Sequence, residues 1–125
     1  MFSHVMLGVN NLETSKKFYD ARLGTLGIPL GMANKNRCVH RNPTGAFGNT
    51  TPINGEPAFH RIGSTVGFHV TSPEQADAFH AAGVANGGTT CEDPPGFREG
   101  PGGKLYLAHL RDPDGNKICA LHRPA

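Results

Sequence analysis

The opening segment of this chain occurs twice. Residues 3–9 read Ser-His-Val-Met-Leu-Gly-Val, and residues 64–70 read Ser-Thr-Val-Gly-Phe-His-Val. A helix-like run follows each copy and carries an aromatic residue at the same offset, Phe18 in the first and Phe79 in the second. A repeat of about half the chain indicates two similar units in one domain rather than an open array of short repeats. The sequence therefore predicts a single domain, residues 1–125, with modules at about 1–61 and 62–125 and a cavity between them.

Charge and composition exclude several classes of protein. The net charge is only +2 and the basic residues are scattered, so a nucleic-acid partner is not expected. No apolar run approaches the roughly 20 residues of a membrane span, and no charged-then-apolar leader opens the chain, so we expect a cytoplasmic protein without a membrane partner. The three cysteines are odd in number and lack a C-x-x-C pair, which predicts reduced thiols.

The first module is predicted to contain a strand, a helix and further short strands. Residues alternate along a strand at 2–9 between two faces: Val5, Leu7 and Val9 against His4, Met6 and Gly8. Asn10 and Glu13 resemble a capping box at the start of a helix that should end near Gly24 or Gly27. Short strands are expected around residues 36–41 and 46–51, separated by a turn at 42–45.

The second module repeats this pattern. Ser72, Pro73 and Gln75 are predicted to supply the N-cap, a proline in the first turn and its N3 partner, for a helix that ends at Gly87-Gly88. Residues 104–111 and 116–122 flank Asp-Pro-Asp-Gly-Asn, which predicts a hairpin. The run between residues 92 and 104 is so rich in Pro and Gly that we expect a surface loop without regular structure, either a lid over the cavity or a tether.

Three segments together resemble the vicinal oxygen chelate superfamily, the group of glyoxalases, bleomycin-resistance proteins and extradiol dioxygenases. They are Ser-His-Val-Met-Leu at 3–7, Ser-Lys-Lys-Phe-Tyr at 15–19 with Leu23-Gly24, and Asp-Pro-Asp-Gly-Asn-Lys-Ile at 112–118. The resemblance spans the chain and implies an α+β fold of two βαβββ modules. Their curved mixed sheet encloses a ligand cavity, usually completed in a homodimer. The resemblance is specific for the fold and not for the reaction, because this scaffold hosts many activities.

The resemblance also implies a metal site. In metal-using members, up to four cavity-facing positions bind one divalent ion. They fall here on His4, on a position near Asn49, on Thr65 where a His is expected and on Cys119 where a Glu is expected. Because Thr and Asn are weak neutral donors, we expect the usual site to be degenerate, with one divalent ion such as Zn or Ni, or none.

Strand alternation offers a second donor set that is softer and compatible with zinc. It consists of His4, His69, His109 and Cys119. The same residues also have structural interpretations, since a cavity-wall histidine can simply be hydrogen-bonded and a cysteine is often a small buried apolar residue. Amphipathic spacing places Phe18, Tyr19 and Phe79 in the core.

Two functions remain open. The first is a glyoxalase-like enzyme, a carbon-sulfur lyase or isomerase similar to lactoylglutathione lyase, in which His4 or His69 is the catalytic base or a metal ligand. Its predicted substrate contacts are Asn49, Thr65, Arg98, Tyr106, His109 and Cys119, with Arg98 facing an anionic group. The alternative is a metal-free protein that sequesters a small molecule, as bleomycin-resistance members do. Either one would have a small-molecule ligand and a second copy of itself as partners.

Overall fold

The computed structural model, which describes residues 1–60 and 63–124, consists of two modules that each begin strand, helix, strand. The first contains β1 (His4–Gly8), α1 (Leu12–Gly24), β2 (Met32–Asn34), β3 (Arg37–Asn42) and β4 (Gly45–Thr50). The second contains β5 (Val66–His69), α2 (Pro73–Ala85), β6 (Thr89–Thr90), β7 (Gly96–Gly100), β8 (Gly103–Arg111) and β9 (Lys117–His122). The predicted boundary between the modules, at residues 61 and 62, lies outside the described residues.

Each module builds its own mixed sheet. The strand order is β1-β4-β3-β2 in the first sheet and β5-β9-β8-β6 in the second, where β7 also pairs with β8. β1 is parallel to β4 and β5 is parallel to β9, while the remaining pairs are antiparallel. Each parallel pair is joined by a long crossover that includes the helix, as parallel pairing requires. The predicted α+β class is confirmed. Neither helix is long and apolar enough to cross a membrane.

The helix starts follow from local hydrogen bonds. The N-cap of α1 is Asn11, whose side chain accepts the N–H of Thr14 at 2.9 Å, so the prediction of Asn10 was wrong by one residue. The Asn10 amide is used elsewhere, because it pairs with the backbone of Ala58 in both directions. The start of α2 is confirmed. Ser72 accepts the N–H of Gln75 at 3.1 Å, and proline occupies the first helical position.

The segment between residues 92 and 104 was predicted to lack regular structure, and this prediction was wrong for most of it. Residues Gly96–Gly100 form β7 and pair antiparallel with β8, turning through the Gly-Pro-Gly-Gly segment at 100–103. The Phe97 ring packs edge-on against Tyr106 with centroids 5.0 Å apart, which gives this short strand an anchor that composition alone does not reveal. Only residues 91–95 remain an irregular connection. The short edge strands β2 and β6 were also not predicted.

The core lies between the two modules. Rings of Tyr19, Phe47, Phe68 and Phe79 form a continuous series with centroid distances of 4.8, 5.2 and 5.6 Å. Phe47 is on β4 of the first sheet and Phe68 is on β5 of the second, so the inner face of each sheet faces the core. Residues of opposite parity, including His4 and His69, therefore lie on the outer faces. The predicted core positions Phe18, Tyr19 and Phe79 are fully buried.

The predicted β8–β9 hairpin is confirmed, and its turn also joins the modules. The Asp112 carboxylate accepts the backbone N–H groups of Asp114 and Asn116, each at 2.9 Å. It also accepts the hydroxyl of Tyr19 on α1 at 2.7 Å. Asp114 in turn accepts the backbone N–H of Asn10 at 2.9 Å. The turn therefore fixes the second module against the start of α1.

Candidate functional site

The outer face of the first sheet carries a histidine and two arginines around one groove. The register pairs His4 on β1 with Ala46 on β4, and Ala46 with Arg41 on β3, so these residues form one row across the sheet. Arg37 lies on the same face of β3, because residues four apart in a strand share a face. His4, Arg37 and Arg41 line a groove of about 340 Å³. We refer to this feature as the outer groove.

The groups in the outer groove are free to meet a ligand. His4 is exposed, and its Nδ1 lies 2.8 Å from the hydroxyl of Ser3. Arg37 and Arg41 are also exposed, and neither makes a side-chain hydrogen bond or ion pair with the described part of the chain. Two guanidinium groups beside an imidazole form a positively charged surface with several unused donors. Such a surface suits a carboxylate or phosphate.

The outer face of the second sheet brings together three of the predicted site residues. Gly67, Cys119 and His109 form one row across β5, β9 and β8, and His69 lies two residues along β5 from Gly67. Burial raises the pKa of the Cys119 thiol, which is 5% exposed, so the sulfur stays protonated at neutral pH. Burial, followed by the charge of Arg98, lowers the pKa of His109, which is therefore neutral at pH 7.

An ion pair lies above this row. Glu92, in the 91–95 connection, pairs with Lys117, the first residue of β9. Its other carboxylate oxygen is 3.7 Å from Nδ1 of His109, which is too long for a hydrogen bond. That Nδ1 is buried and has no hydrogen-bond partner in the described residues. His109 thus has an unused ring nitrogen close to an ion pair between an exposed Glu92 and a half-buried Lys117.

Two predicted substrate contacts are held by structural partners. Tyr106 is on the inner face of β8, where its hydroxyl donates to Asp77 of α2 at 2.7 Å; this hydrogen bond raises the pKa of Tyr106 to about 12. Arg98 on β7 donates to the carbonyl oxygens of Asp93 and Pro94 at 3.1 and 2.8 Å. Tyr106 is therefore separated from the outer-face row by the sheet, and Arg98 is engaged by the backbone of the 91–95 connection.

The placement of Asn49 differs from the expectation. It is fully buried on the inner face, where its register partners are Leu7 and Cys38, so it does not share a face with His4. The outer position beside Met6 is Gly48, which has no donor atom in its side chain. The sequence placed this strand with an error of one residue, and such a slip exchanges the two faces. Thr65 is exposed, directly before β5.

The side chains present do not fit the usual divalent-metal site. In residues 1–60 and 63–124, no three His, Cys, Asp or Glu side chains lie close enough together to hold an ion. His4 stands on the first sheet, whereas His69, His109 and Cys119 stand on the second. The thiol of Cys119 is protonated, and the hydroxyl of Thr65 is a weak ligand. We therefore derive no chemical step through a metal.

Four charged residues around the site were not singled out from the sequence. They are Arg37, Arg41, Glu92 and Lys117. The spacing of the two arginines could have identified them, because two cations four residues apart on a half-exposed strand share one face. No comparable signal identified Glu92 and Lys117, since the contact depends on how the irregular 91–95 connection folds back.

Two modules that each run from a strand through a helix to further strands, four strands in the first and five in the second, define a glyoxalase-type fold, and comparison with solved structures agrees. The chain is 75% identical to a glyoxalase/bleomycin resistance protein from Albidiferax ferrireducens T118, with 98% of each chain covered and a TM-score of 0.96. It therefore belongs to the glyoxalase/bleomycin resistance protein family, and the resemblance seen in the sequence is confirmed.

More distant structures share only the fold. A glyoxalase-related enzyme from Fulvimarina pelagi is 18% identical over 99% of this chain and 88% of that one, with a TM-score of 0.75. A glyoxalase/bleomycin resistance protein/dioxygenase family enzyme from Burkholderia phytofirmans PsJN is 17% identical over 96% of both chains, with a TM-score of 0.72. No family model and no curated protein matches the chain.

Proposed function

We propose that this protein is a glyoxalase-like lyase or isomerase that acts on a small anionic carbonyl compound without a chelated metal. The observation that carries the proposal is the outer groove, where His4 stands beside the unpaired Arg37 and Arg41. An imidazole is the commonest general base near neutral pH, and two free guanidinium groups bind the anionic end of a substrate. The groove thus supplies a base and an anchor.

The chemistry is a proton shift beside a carbonyl. The substrate carries a hydroxyl on the carbon next to its carbonyl. His4 takes the C–H proton from that carbon and the hydroxyl proton passes to water, which leaves an enediolate. The C–H proton then returns to the former carbonyl carbon, whose oxygen takes up a proton from water, so that hydroxyl and carbonyl have exchanged places. No electrons are gained or lost overall. A cation is needed near the enediolate oxygen, and Lys117 on the outer face of the second sheet is the candidate. We assign the substrate contacts on that face to His69 and His109, which lie on it, and to Thr65 at its edge.

The outer faces of the first and second sheets can face each other only across two copies of the chain. His4 lies on the outer face of the first sheet and Lys117 on that of the second, and both faces are turned from the core of their own chain. We propose a homodimer in which the first sheet of one protomer covers the second sheet of its partner. The family resemblance supports this arrangement, since cavities of this fold are usually completed in a homodimer. Light scattering at micromolar concentration should give twice the chain mass.

Mixing two inactive variants tests the shared site. We expect His4→Gln and His109→Gln each to reduce turnover strongly, and an equimolar mixture of the two, in which about half of the dimers are mixed, to regain up to about a quarter of the wild-type rate. Regain occurs because one of the two cavities in a mixed dimer combines an intact His4 with an intact His109. If mixing restores nothing while light scattering shows mixed dimers, each site is built within one chain and the proposed arrangement is wrong.

Turnover of the adduct of methylglyoxal with a thiol that carries a carboxylate, followed by the appearance of a thioester, tests the activity itself. His4→Gln is expected to lower kcat, whereas Arg41→Gln is expected to raise KM with a smaller effect on kcat. Lys17→Gln is the matched control, because it removes one exposed cation from α1, away from the outer groove. A variant set in which Lys17→Gln and Arg41→Gln behave alike contradicts the role of the groove.

The second candidate is a metal-free binding protein. The specific observation in its favour is the donor set, which does not supply the usual chelate. Calorimetric titration separates the two functions. Saturable binding of an anionic carbonyl compound that Arg41→Gln weakens, without turnover of any adduct in the series, identifies a sequestering protein.

A further inference from the structure

A cavity of about 180 Å³ lies on the inner side of the first sheet, on the reverse of the sheet from His4. Its wall is largely apolar and comes from both modules: Leu23, Ile28, Phe47, Val66 and Phe68. The residues Asn42 and Thr44 of the β3–β4 turn also line it and are exposed, so the cavity reaches the surface at this turn. We call this feature the inner cavity.

His40 is the titratable residue in the wall of the inner cavity. Its side chain is 1% exposed, and Nε2 lies 2.8 Å from a carboxylate oxygen of Asp20 on α1. The other ring nitrogen, Nδ1, is buried and has no hydrogen-bond partner in the described residues. One nitrogen is therefore anchored while the other is unused.

The surroundings of Asp20 decide which nitrogen carries the proton. Partial burial opposes ionisation, but hydrogen bonds from the N–H of Gly31 at 2.8 Å, from Lys16 at 2.6 Å and from His40 lower the pKa of Asp20 below its usual value. Asp20 is thus a carboxylate, which only accepts hydrogen bonds. Burial lowers the pKa of His40, so the ring is neutral and Nε2 donates to Asp20. Nδ1 then has a free lone pair and acts as an acceptor.

A buried acceptor without a partner is unfavourable, and an apolar cavity around it selects what can satisfy it. The partner needs one hydrogen-bond donor and an otherwise apolar body. An apolar cavity of about 150 Å³ accommodates benzene, so the inner cavity is large enough for a single six-membered ring. A carboxylate ligand is disfavoured, because it would place a second acceptor against Nδ1 and lose its hydration.

We propose that the inner cavity is a binding site for a small aromatic alcohol of the size of phenol, whose hydroxyl donates to Nδ1 of His40 and whose ring packs against Phe47 and Phe68. The site is separate from the outer groove and does not depend on the activity proposed for it. It would give the protein a second ligand class, neutral and apolar, beside the anionic one of the outer face.

Phenol and toluene are the probes, because they have similar size and shape and only phenol has a donor. Calorimetric or NMR titration of the wild type should show phenol binding at least 10-fold more tightly than toluene. Equal affinities overturn the role of His40. Binding of neither probe at millimolar concentration also overturns the proposal and shows that the cavity is closed or filled, for example by a second copy of the chain.

His40→Leu should abolish the preference for phenol over toluene, and persistence of the preference overturns the proposal. Arg41→Gln is the matched control, because it lies on the opposite face of the same strand. It should leave the affinity for phenol unchanged and lower the affinity of the outer groove for its anionic ligand. The two proposals can therefore fail separately. Should His40→Leu not fold, ¹⁵N NMR of the wild type decides: phenol must shift the Nδ1 resonance of His40, and an unshifted resonance contradicts the contact.

Discussion

The guanidinium carbon of Arg22 lies 3.7 Å from the centroid of the Phe79 ring, where α1 packs against α2. Arg22 is fully buried, and none of its three side-chain nitrogens has a hydrogen-bond partner in the described residues. Burial lowers the pKa of Arg22 to about 9. The contact with Phe79, a longer one with Phe18 at 5.3 Å and the charge of Asp112 oppose this desolvation.

We predict that Arg22→Met stabilises the protein by about 1 to 2 kcal/mol. Burying a charge that makes no hydrogen bond costs several kcal/mol, whereas a desolvated cation–π contact contributes about 2 kcal/mol and Asp112 acts on Arg22 only through space, so the cost exceeds the gain. Methionine fills much of the same space without a charge. Arg22→Ala is the contrast, because it leaves a cavity between the helices and should destabilise by about 2 kcal/mol or more relative to Arg22→Met. Urea unfolding measures both variants, and a marked loss of stability in Arg22→Met contradicts the argument.

Gly31 is expected to tolerate no side chain. A Cβ at this position would lie 2.7 Å from Cε1 of His40 and 2.9 Å from its Nε2, so the ring would have to move from Asp20. We predict that Gly31→Ala destabilises by about 1 to 3 kcal/mol, the usual cost of overpacking a core. Gly24→Ala is the matched control, because a Cβ there meets nothing within 4 Å and alanine favours the helix. The midpoint temperature of thermal unfolding should fall for Gly31→Ala and rise for Gly24→Ala.

Much of this fold was readable from the sequence, because the repeat, the strand alternation and the hairpin turn at 112–116 are local patterns. The site was readable only in part. His69, His109 and Cys119 share a face, as strand alternation predicted for His69 and the family resemblance implied for the other two, whereas Asn49 was placed on the wrong face by a slip of one residue. The partners of Tyr106 were not readable, since its hydrogen bond to Asp77 joins a strand to a helix 29 positions away in the sequence.

Stability should fall as the solution is acidified from pH 7 to pH 5. Burial lowers the pKa of His40, His80 and His109 in the folded protein, whereas an unfolded histidine titrates near 6.5. Below about pH 6.5 the unfolded chain therefore binds more protons than the folded one, and stability is lost as the pH falls through the folded pKa values. Urea unfolding at a series of pH values measures this slope, and His80→Gln should make it shallower. An unfolding free energy that is constant or higher at pH 5 contradicts the prediction.

We predict that the hydrogen bond from Tyr19 to Asp112 contributes more to stability than the hydrogen bond from Tyr106 to Asp77 in the second module. The Tyr19 hydroxyl donates to a carboxylate that is 2% exposed, and burial together with that charge raises the pKa of Tyr19. We expect Tyr19→Phe to cost about 2 kcal/mol, within the range for hydrogen bonds to charged groups, because Asp112 keeps its backbone donors but loses its donor on α1.

Tyr106→Phe is the matched control, since the bond from Tyr106 to Asp77 lies nearer the surface, where water replaces the lost partner. That variant should cost less than about 1 kcal/mol. Chemical unfolding of both variants gives the comparison, and equal costs would show that the link between the β8–β9 turn and α1 is no stronger than a surface contact.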